Sequence, residues 1–206
     1  MRVLIIDKHP IVMAGCQFLV GTSPEVELKA AFTAEAGFET FVDWLPDIVV
    51  LDLLMPGSPA VGYIGRLFAH EPSARIVVHG SSDDPLVAAH MIGLGARAFV
   101  SKTEDPACVL HAIREVSAGN FYMSPHLAQK VATLRVAPNA MISPKVSARE
   151  RDILTMLATG KSMAEIAKTV NLSYKSISAI CNRLRTRFDA RTTIELVRIA
   201  LLLGIC

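Results

Sequence analysis

Four short apolar runs each end on a polar or ionisable residue: VLII before Asp7, IVVL before Asp52, IVV before His79, and AFV before Ser101-Lys102. Runs this short and unbroken fit strands covered on both faces, as in a parallel sheet; half-exposed strands alternate instead. VELKAAF reads as a further strand, second in chain order. Helical patterns lie between the strands, over Pro10–Val20, Ala34–Val42, Pro85–Leu94 and Pro106–Ser117. Strands alternating with helices predict an α/β, doubly wound, five-stranded parallel sheet. Sites in such sheets lie at the carboxyl ends of the strands. Asp7, Asp52, Gly80-Ser81-Ser82 and Lys102 occupy those ends here. A carboxylate closing a buried strand is costly unless it is partnered, so Asp7 and Asp52 are the first candidates for chemistry.

Composition sets the outer limits. The chain has 206 residues, enough for two domains, and 51% hydrophobic with 19% charged residues is a folding composition. No apolar run approaches the ~20 residues that span a bilayer, and the N-terminus lacks the features of a signal peptide. Cys16, Cys108, Cys181 and Cys206 are scattered without metal-ligand spacing, which suits reduced thiols in a cytoplasmic protein. Charge is divided. Residues 1–144 hold 10 Lys and Arg against 14 Asp and Glu, a net −4; residues 145–206 hold 11 against 5, a net +6. A small basic half predicts a polyanionic partner.

The charge boundary coincides with a linker. Residues 1–120 form the predicted α/β domain. Residues 121–145 read as linker with one short helix, about 125–135, and are marked by Pro138, Asn139 and Pro144. Residues 146–206 read as four helices. Ser147 and Glu150 form a capping box for the first, which ends at Gly160. SMAEIAKTV is the second, and Ser173 caps the third. The third turns Ile177, Ile180, Leu184 and Phe188 inward. The fourth spans Thr192 to Leu203 and is unusually apolar.

IIDKHP, VVLDLLMPG and GARAFVSK, followed by SARERDILTMLATGKSMAEIAKTVNLSYKSISAICNRLRTRF, together resemble a NarL/FixJ-type response regulator over essentially the whole chain. The resemblance implies a flavodoxin-like receiver domain followed by a LuxR-type helix-turn-helix domain. It implies that Asp52 is the phosphoacceptor for a histidine kinase. It also implies an acidic pair after strand one, a hydroxyl after strand four, a lysine after strand five, and magnesium on the carboxylates. Phosphoryl transfer depends on such charge compensation.

Two positions depart from that pattern. The acidic pair is Asp7-Lys8, and Gly80 stands where the hydroxyl belongs, with Ser81 one residue late. Phe99 replaces a hydroxyl-bearing aromatic at the switch position. Asp7 and Asp52 carry −2 and Lys8 and Lys102 carry +2. If Lys8 points inward, the pocket of Asp7, Lys8, Gly80, Ser81, Phe99 and Lys102 is neutral without a metal, and magnesium is not expected to bind well. The receiver then works independently of phosphorylation. If Lys8 points to solvent, Asp52 remains a weak phosphoacceptor. His9 belongs to the His-Pro stretch that the family usually has there, and is read as structural.

In the third helix of the basic half, the resemblance assigns Ser178, Ala179 and Asn182 to base edges, with Lys175, Ser176 and Arg183 alongside. Asn can read adenine, Ala can touch a thymine methyl, and Lys and Arg suit phosphates. Arg183, Arg185 and Arg187 wind around the helix, so only one or two can face DNA. Ile194, Val197 and Leu201 exceed what packing beneath the recognition helix requires, which predicts a homodimer contact. The expected partners are promoter DNA, a second copy, and a histidine kinase or another regulator, with no membrane. The leading expectation is a dimeric transcription regulator with a degenerate receiver. The rivals are a conventional regulator phosphorylated at Asp52, and an interaction module controlled by a protein or small ligand. No nucleophile triad, P-loop or GxGxxG supports an enzyme.

Overall fold

The computed structural model describes residues 1–21, 23, 25–56, 58–136, 146–188, 190–203 and 205. It divides into two compact units, Met1–Pro138 and Asn139–Cys206. The first contains β1 (Arg2–Ile6), α1 (Pro10–Gly21), β2 (Glu27–Ala31), α2 (Ala34–Trp44), β3 (Ile48–Asp52), β4 (Leu54–Met55), β5 (Ser58–Pro59), α3 (Ala60–His70), β6 (Ile76–Gly80), α4 (Pro85–Gly93), β7 (Ala98–Ser101), α5 (Ala107–Ser117), β8 (Tyr122–Met123) and α6 (Pro125–Val136).

The main sheet is parallel throughout, in the order β2-β1-β3-β6-β7-β8. Every residue of β3, β6 and β7 is buried, as unbroken apolar runs require. One face packs Val3, Ile5, Val50, Val77 and Val100 with Met13, Cys16 and Val20 of α1 and Val109, Ala112, Ile113 and Val116 of α5. The other face carries Leu4, Ile6, Leu51, Val78 and Phe99, all buried; Phe41, Tyr63, Ile64, Leu67 and Met91 of α2, α3 and α4 are buried too.

The sheet keeps the doubly wound, parallel arrangement and gains a sixth strand. Tyr122 and Met123 pair with Ala98 and Phe99. Residues 121–136, expected as linker with a helix, thus continue the first unit. α6 packs on α4, Leu127 is buried, and Lys130 Nζ lies 3.6 Å from Asp83 Oδ2. Pro138, Asn139 and Pro144 of the expected linker, and Cys206, lie outside the described residues.

The second unit holds α7 (Ala148–Ala158), α8 (Met163–Thr169), α9 (Tyr174–Arg187) and α10 (Thr193–Leu202). Ser147 and Glu150 form the expected capping box, and Ser162 and Glu165 form a second. Ser173 and Thr192 cap α9 and α10. Ile153, Ile166, Ile177 and Cys181 make one small core; Leu154, Leu184, Phe188, Leu196 and Ile199 make another. Cys181 takes the fully buried place on α9, whereas Ile180 is half-buried between the two cores. Among the described residues no helix is long and apolar enough to cross a membrane.

Candidate functional site

Strand alternation builds the site. Val3 and Ile5, Ile48 and Val50, Val77, and Ala98 and Val100 all face α1 and α5. Two residues further along each strand, on that same face, come Asp7, Asp52, His79 and Lys102. Asp7 follows β1 and Asp52 ends β3, adjacent strands from which the chain order runs in opposite directions, β1 toward β2 and β3 toward β6. This reversal of strand order is the crevice where doubly wound sheets place their ligands.

Lys102 closes that crevice. Its Nζ lies 2.7 Å from Asp7 Oδ2 and 2.8 Å from Asp52 Oδ1, and its side chain is 10% exposed. His9 adds a second contact, with Nδ1 2.8 Å from Asp7 Oδ1 and 3.7 Å from Asp52 Oδ2. The His9 backbone N–H also donates to Asp7 Oδ1 at 2.8 Å. Burial pushes the Asp7 carboxyl upward, but the Lys102 ammonium and the His9 contacts outweigh it and hold Asp7 below its ordinary value.

Lys8 does not play the part expected of it. Its Nζ donates to the Leu54 carbonyl at 2.6 Å, and it forms no ion pair with Asp7 or Asp52. β1 ends at Ile6 and the chain bends at Lys8; the Asp7 carboxylate accepts from the N–H two residues on, an Asx turn that sets the His9 ring against it. The ammonium that pairs with both carboxylates is that of Lys102, with the His9 ring set against them. His9, read as structural, belongs to the site.

Gly80 is flush with the side chain of Leu53. β3 and β6 pair Asp52 with His79, so the next residues, Leu53 and Gly80, are neighbours. A Cβ on Gly80 would meet Leu53 Cδ1 at overlap and Leu53 Cγ at 2.8 Å. Leu53 is buried, and it fills the place of the missing side chain. Ser81 is exposed; Ser82 is buried and its Oγ accepts from Asp84 N at 3.2 Å. Phe99 is fully buried between Val78 and Met123 in the sheet. His79 is buried beside Asp52. Burial, then the Lys102 charge, push its imidazole down to about 4, so it is neutral at pH 7.

Asp7, His9 and Asp52 offer ligand atoms within 4.8 Å of one another. Asp52 Oδ2 is buried and accepts no hydrogen bond among the described residues. This is a set of two carboxylates and one imidazole, with an ammonium already between the carboxylates. Magnesium seeks oxygen ligands in near-octahedral array. The Leu54 carbonyl, a further oxygen on the segment after Asp52, is already bonded to Lys8.

In the second unit, α9 presents Lys175, Ala179, Asn182, Arg183 and Thr186 as exposed residues at helical spacing, with Ser178 half-buried beside them. Ser176 is turned into the cap, its Oγ 2.8 Å from Ser173 Oγ. Asn182 Oδ1 accepts from Arg185 Nη2 at 2.7 Å, and Arg185 Nη1 donates to the Arg191 carbonyl at 3.3 Å. Arg187 Nη2 lies 3.3 Å from Glu150 Oε1. Of the three arginines, Arg183 is the one on the outward face. On α10, Leu196, Ile199 and Ala200 are buried, while Ile194, Val197 and Leu201 form a second stripe, with Ile194 83% exposed.

Comparison with known proteins agrees with this architecture. Residues 3–114 match the response regulator receiver domain, and residues 144–200 match the bacterial regulatory proteins of the luxR family. The chain is 30% identical to the methanol utilization control regulatory protein MoxX of Paracoccus denitrificans, over 96% of this chain and 89% of that one. It is also 30% identical to the response regulator UvrY of Escherichia coli, over 100% and 95% of the two chains. RcsB from Salmonella enterica serovar Typhimurium shares the fold, with a TM-score of 0.80, 22% identity and 98% coverage of both chains. With a receiver-type sheet, a luxR-type helical unit and relatives matched along nearly their full length, the chain belongs to the response regulators of the NarL/FixJ type.

Proposed function

We propose that this response regulator binds promoter DNA as a homodimer, and that its receiver acts without magnesium-assisted phosphorylation. The observation that carries the second part is Leu53 packed over Gly80. A receiver of this family is implied to use a hydroxyl there; this one lacks it and has filled its space. Lys8 on the Leu54 carbonyl supports the same reading, because a dication using that oxygen would have to displace its ammonium group. The DNA part is supported by the outward row Lys175, Ala179, Asn182 and Arg183 and by the net +6 of residues 145–206. RcsB, which shares the fold, has been solved bound to promoter DNA and as dimers on DNA. The Ile194, Val197 and Leu201 stripe supports a second copy as partner.

A second reading, phosphorylation at Asp52, is favoured by Asp52 Oδ2, which is buried and accepts no hydrogen bond among the described residues. One experiment separates the two. The full-length protein is incubated with a small phosphodonor and magnesium, and its intact mass is measured. The expected result is no adduct. A stoichiometric gain of about 80 Da, the mass of a phosphoryl group, that is lost in Asp52→Asn would overturn the proposal. A gel-shift on promoter DNA, without phosphodonor or magnesium, is expected to show binding that neither addition changes.

A further inference from the structure

Arg75, Arg97 and Phe121 each stand one residue before a strand, β6, β7 and β8 in turn. They therefore gather at the amino edge of the sheet, the opposite end from Asp52. Sheet-edge hydrogen bonds fix their backbones: Val49 N–H donates to the Arg75 carbonyl at 2.9 Å, Arg97 N–H to Ile76 at 2.8 Å, and Tyr122 N–H to Arg97 at 3.1 Å. Beside them is a cleft of about 560 Å³, with Phe68 and Ile92 also on its walls. That volume lies within the range of about 300–1,000 Å³ typical of small-molecule sites.

The chemistry of the cleft is one-sided. No Asp or Glu lines it among the described residues. Glu71 faces a separate cleft of about 180 Å³ that also touches Arg75, and its carboxylate accepts from Ser73 N and Oγ at 3.0 and 2.6 Å. Neither arginine forms an ion pair among the described residues. Arg75 donates one bond, from Nη1 to the Ser117 carbonyl at the end of α5, 3.0 Å. A guanidinium has five donors, so most of Arg75 remains available. The Arg97 guanidinium sits 4.7 Å from the centre of the Phe121 ring, and that ring is 60% exposed.

The simplest alternative is that the arginines only offset the carboxyl ends of α4 and α5. Each helix end carries roughly half a negative charge. Arg75 also shares the adjoining cleft with Asp47 and Glu71, which offset its charge, so Arg97, exposed and in no ion pair among the described residues, is the surplus cation. A surplus cation, forked donors and two aromatic walls suit a flat ligand with one anionic group. We infer that this cleft binds a small aromatic anion, a ring carrying a carboxylate or a phosphate. The inference is independent of how Asp52 is used.

Isothermal titration of the full-length protein tests it with four probes. Naphthalene-2-carboxylate and guanosine 5′-monophosphate carry ring and charge, inorganic phosphate carries charge alone, and naphthalene-2-methanol carries the ring alone. At least one ring-bearing anion is expected to bind one per chain, at least tenfold tighter than the other two probes. Arg97→Gln is expected to weaken that binding at least tenfold, while Arg66→Gln, which alters a guanidinium stacked on Phe38 elsewhere, leaves it unchanged. Arg75→Gln also removes the α5 contact and can disturb folding, so Arg97→Gln, at an exposed position, is decisive. Absence of 1:1 binding by both ring-bearing anions, binding of phosphate or the neutral ring as tightly, or unchanged binding in Arg97→Gln would each overturn the inference.

Discussion

Leu53 rests on the bare backbone of Gly80, its Cγ 2.8 Å from the point a Cβ would occupy. Restoring the hydroxyl at position 80 therefore overpacks a buried site. Gly80→Thr is expected to cost about 1–3 kcal/mol, and Leu53→Ala about 2–5 kcal/mol for the cavity it leaves. The double variant should be more stable than the sum of the two losses, because each change makes room for the other. Urea unfolding of all four proteins reads this out; strict additivity would show that the two residues do not share one space.

Lys102 is the counter-charge for two buried carboxylates. Removing it in Lys102→Met leaves them facing each other, and breaking a buried pair costs about 3–5 kcal/mol. Lys102→Met is thus expected to be among the most destabilising single changes in the first unit. Adding Asp52→Asn should recover part of the loss. If Lys102→Met unfolds at the same urea concentration as the parent protein, the ion pairs contribute nothing.

His79 gives stability a pH dependence. Its folded value, about 4, lies below the ordinary 6.5. The unfolded chain therefore takes up a proton first as pH falls, and stability drops between pH 6.5 and about 4. The contribution is complete above pH 6.5. At pH 5 the loss relative to pH 7.5 is about 2 kcal/mol, at about 1.4 kcal/mol per pH unit. His79→Leu should flatten this part of the curve, as followed by chemical denaturation at both pH values. A parallel slope in the variant would assign the effect to another group.

The arginines of α9 should separate on DNA. Arg183 faces outward, whereas Arg185 and Arg187 are held by Asn182 and Glu150. Arg183→Ala is expected to weaken binding to all sequences and to reduce the salt slope by about one. Arg187→Ala should act chiefly on stability, and by less than about 1 kcal/mol for a pair at the surface. Binding measured between low and moderate salt, beside thermal melting, distinguishes them. A salt slope unchanged in Arg183→Ala would remove it from the phosphate contacts.

The middle of the sheet was legible because β3, β6 and β7 are buried on both faces, and burial writes itself as unbroken apolar runs. β8 was not, because Tyr122 and Met123 form two ladder pairs inside a stretch rich in turn residues. Asp7, Asp52 and Lys102 could be read from their strand ends. The part played by Lys8 could not be read from adjacency, because the chain bends there; an Asp two residues before the His9 N–H is the local signal for the Asx turn that sets His9 against the carboxylate. Leu53 over Gly80 was out of reach, since it depends on the register between β3 and β6, which no local pattern encodes.

The apolar stripe of Ile194, Val197 and Leu201 has a consequence for how such a regulator is governed. If the proposed homodimer forms through this stripe and Asp52 carries no phosphoryl group, pairing is set by mass action. Well below the dimer's dissociation constant, the paired form grows as the square of the number of chains in the cell. On that proposal, doubling synthesis quadruples the paired species, so the expression level becomes the signal and degradation of the chain the reset.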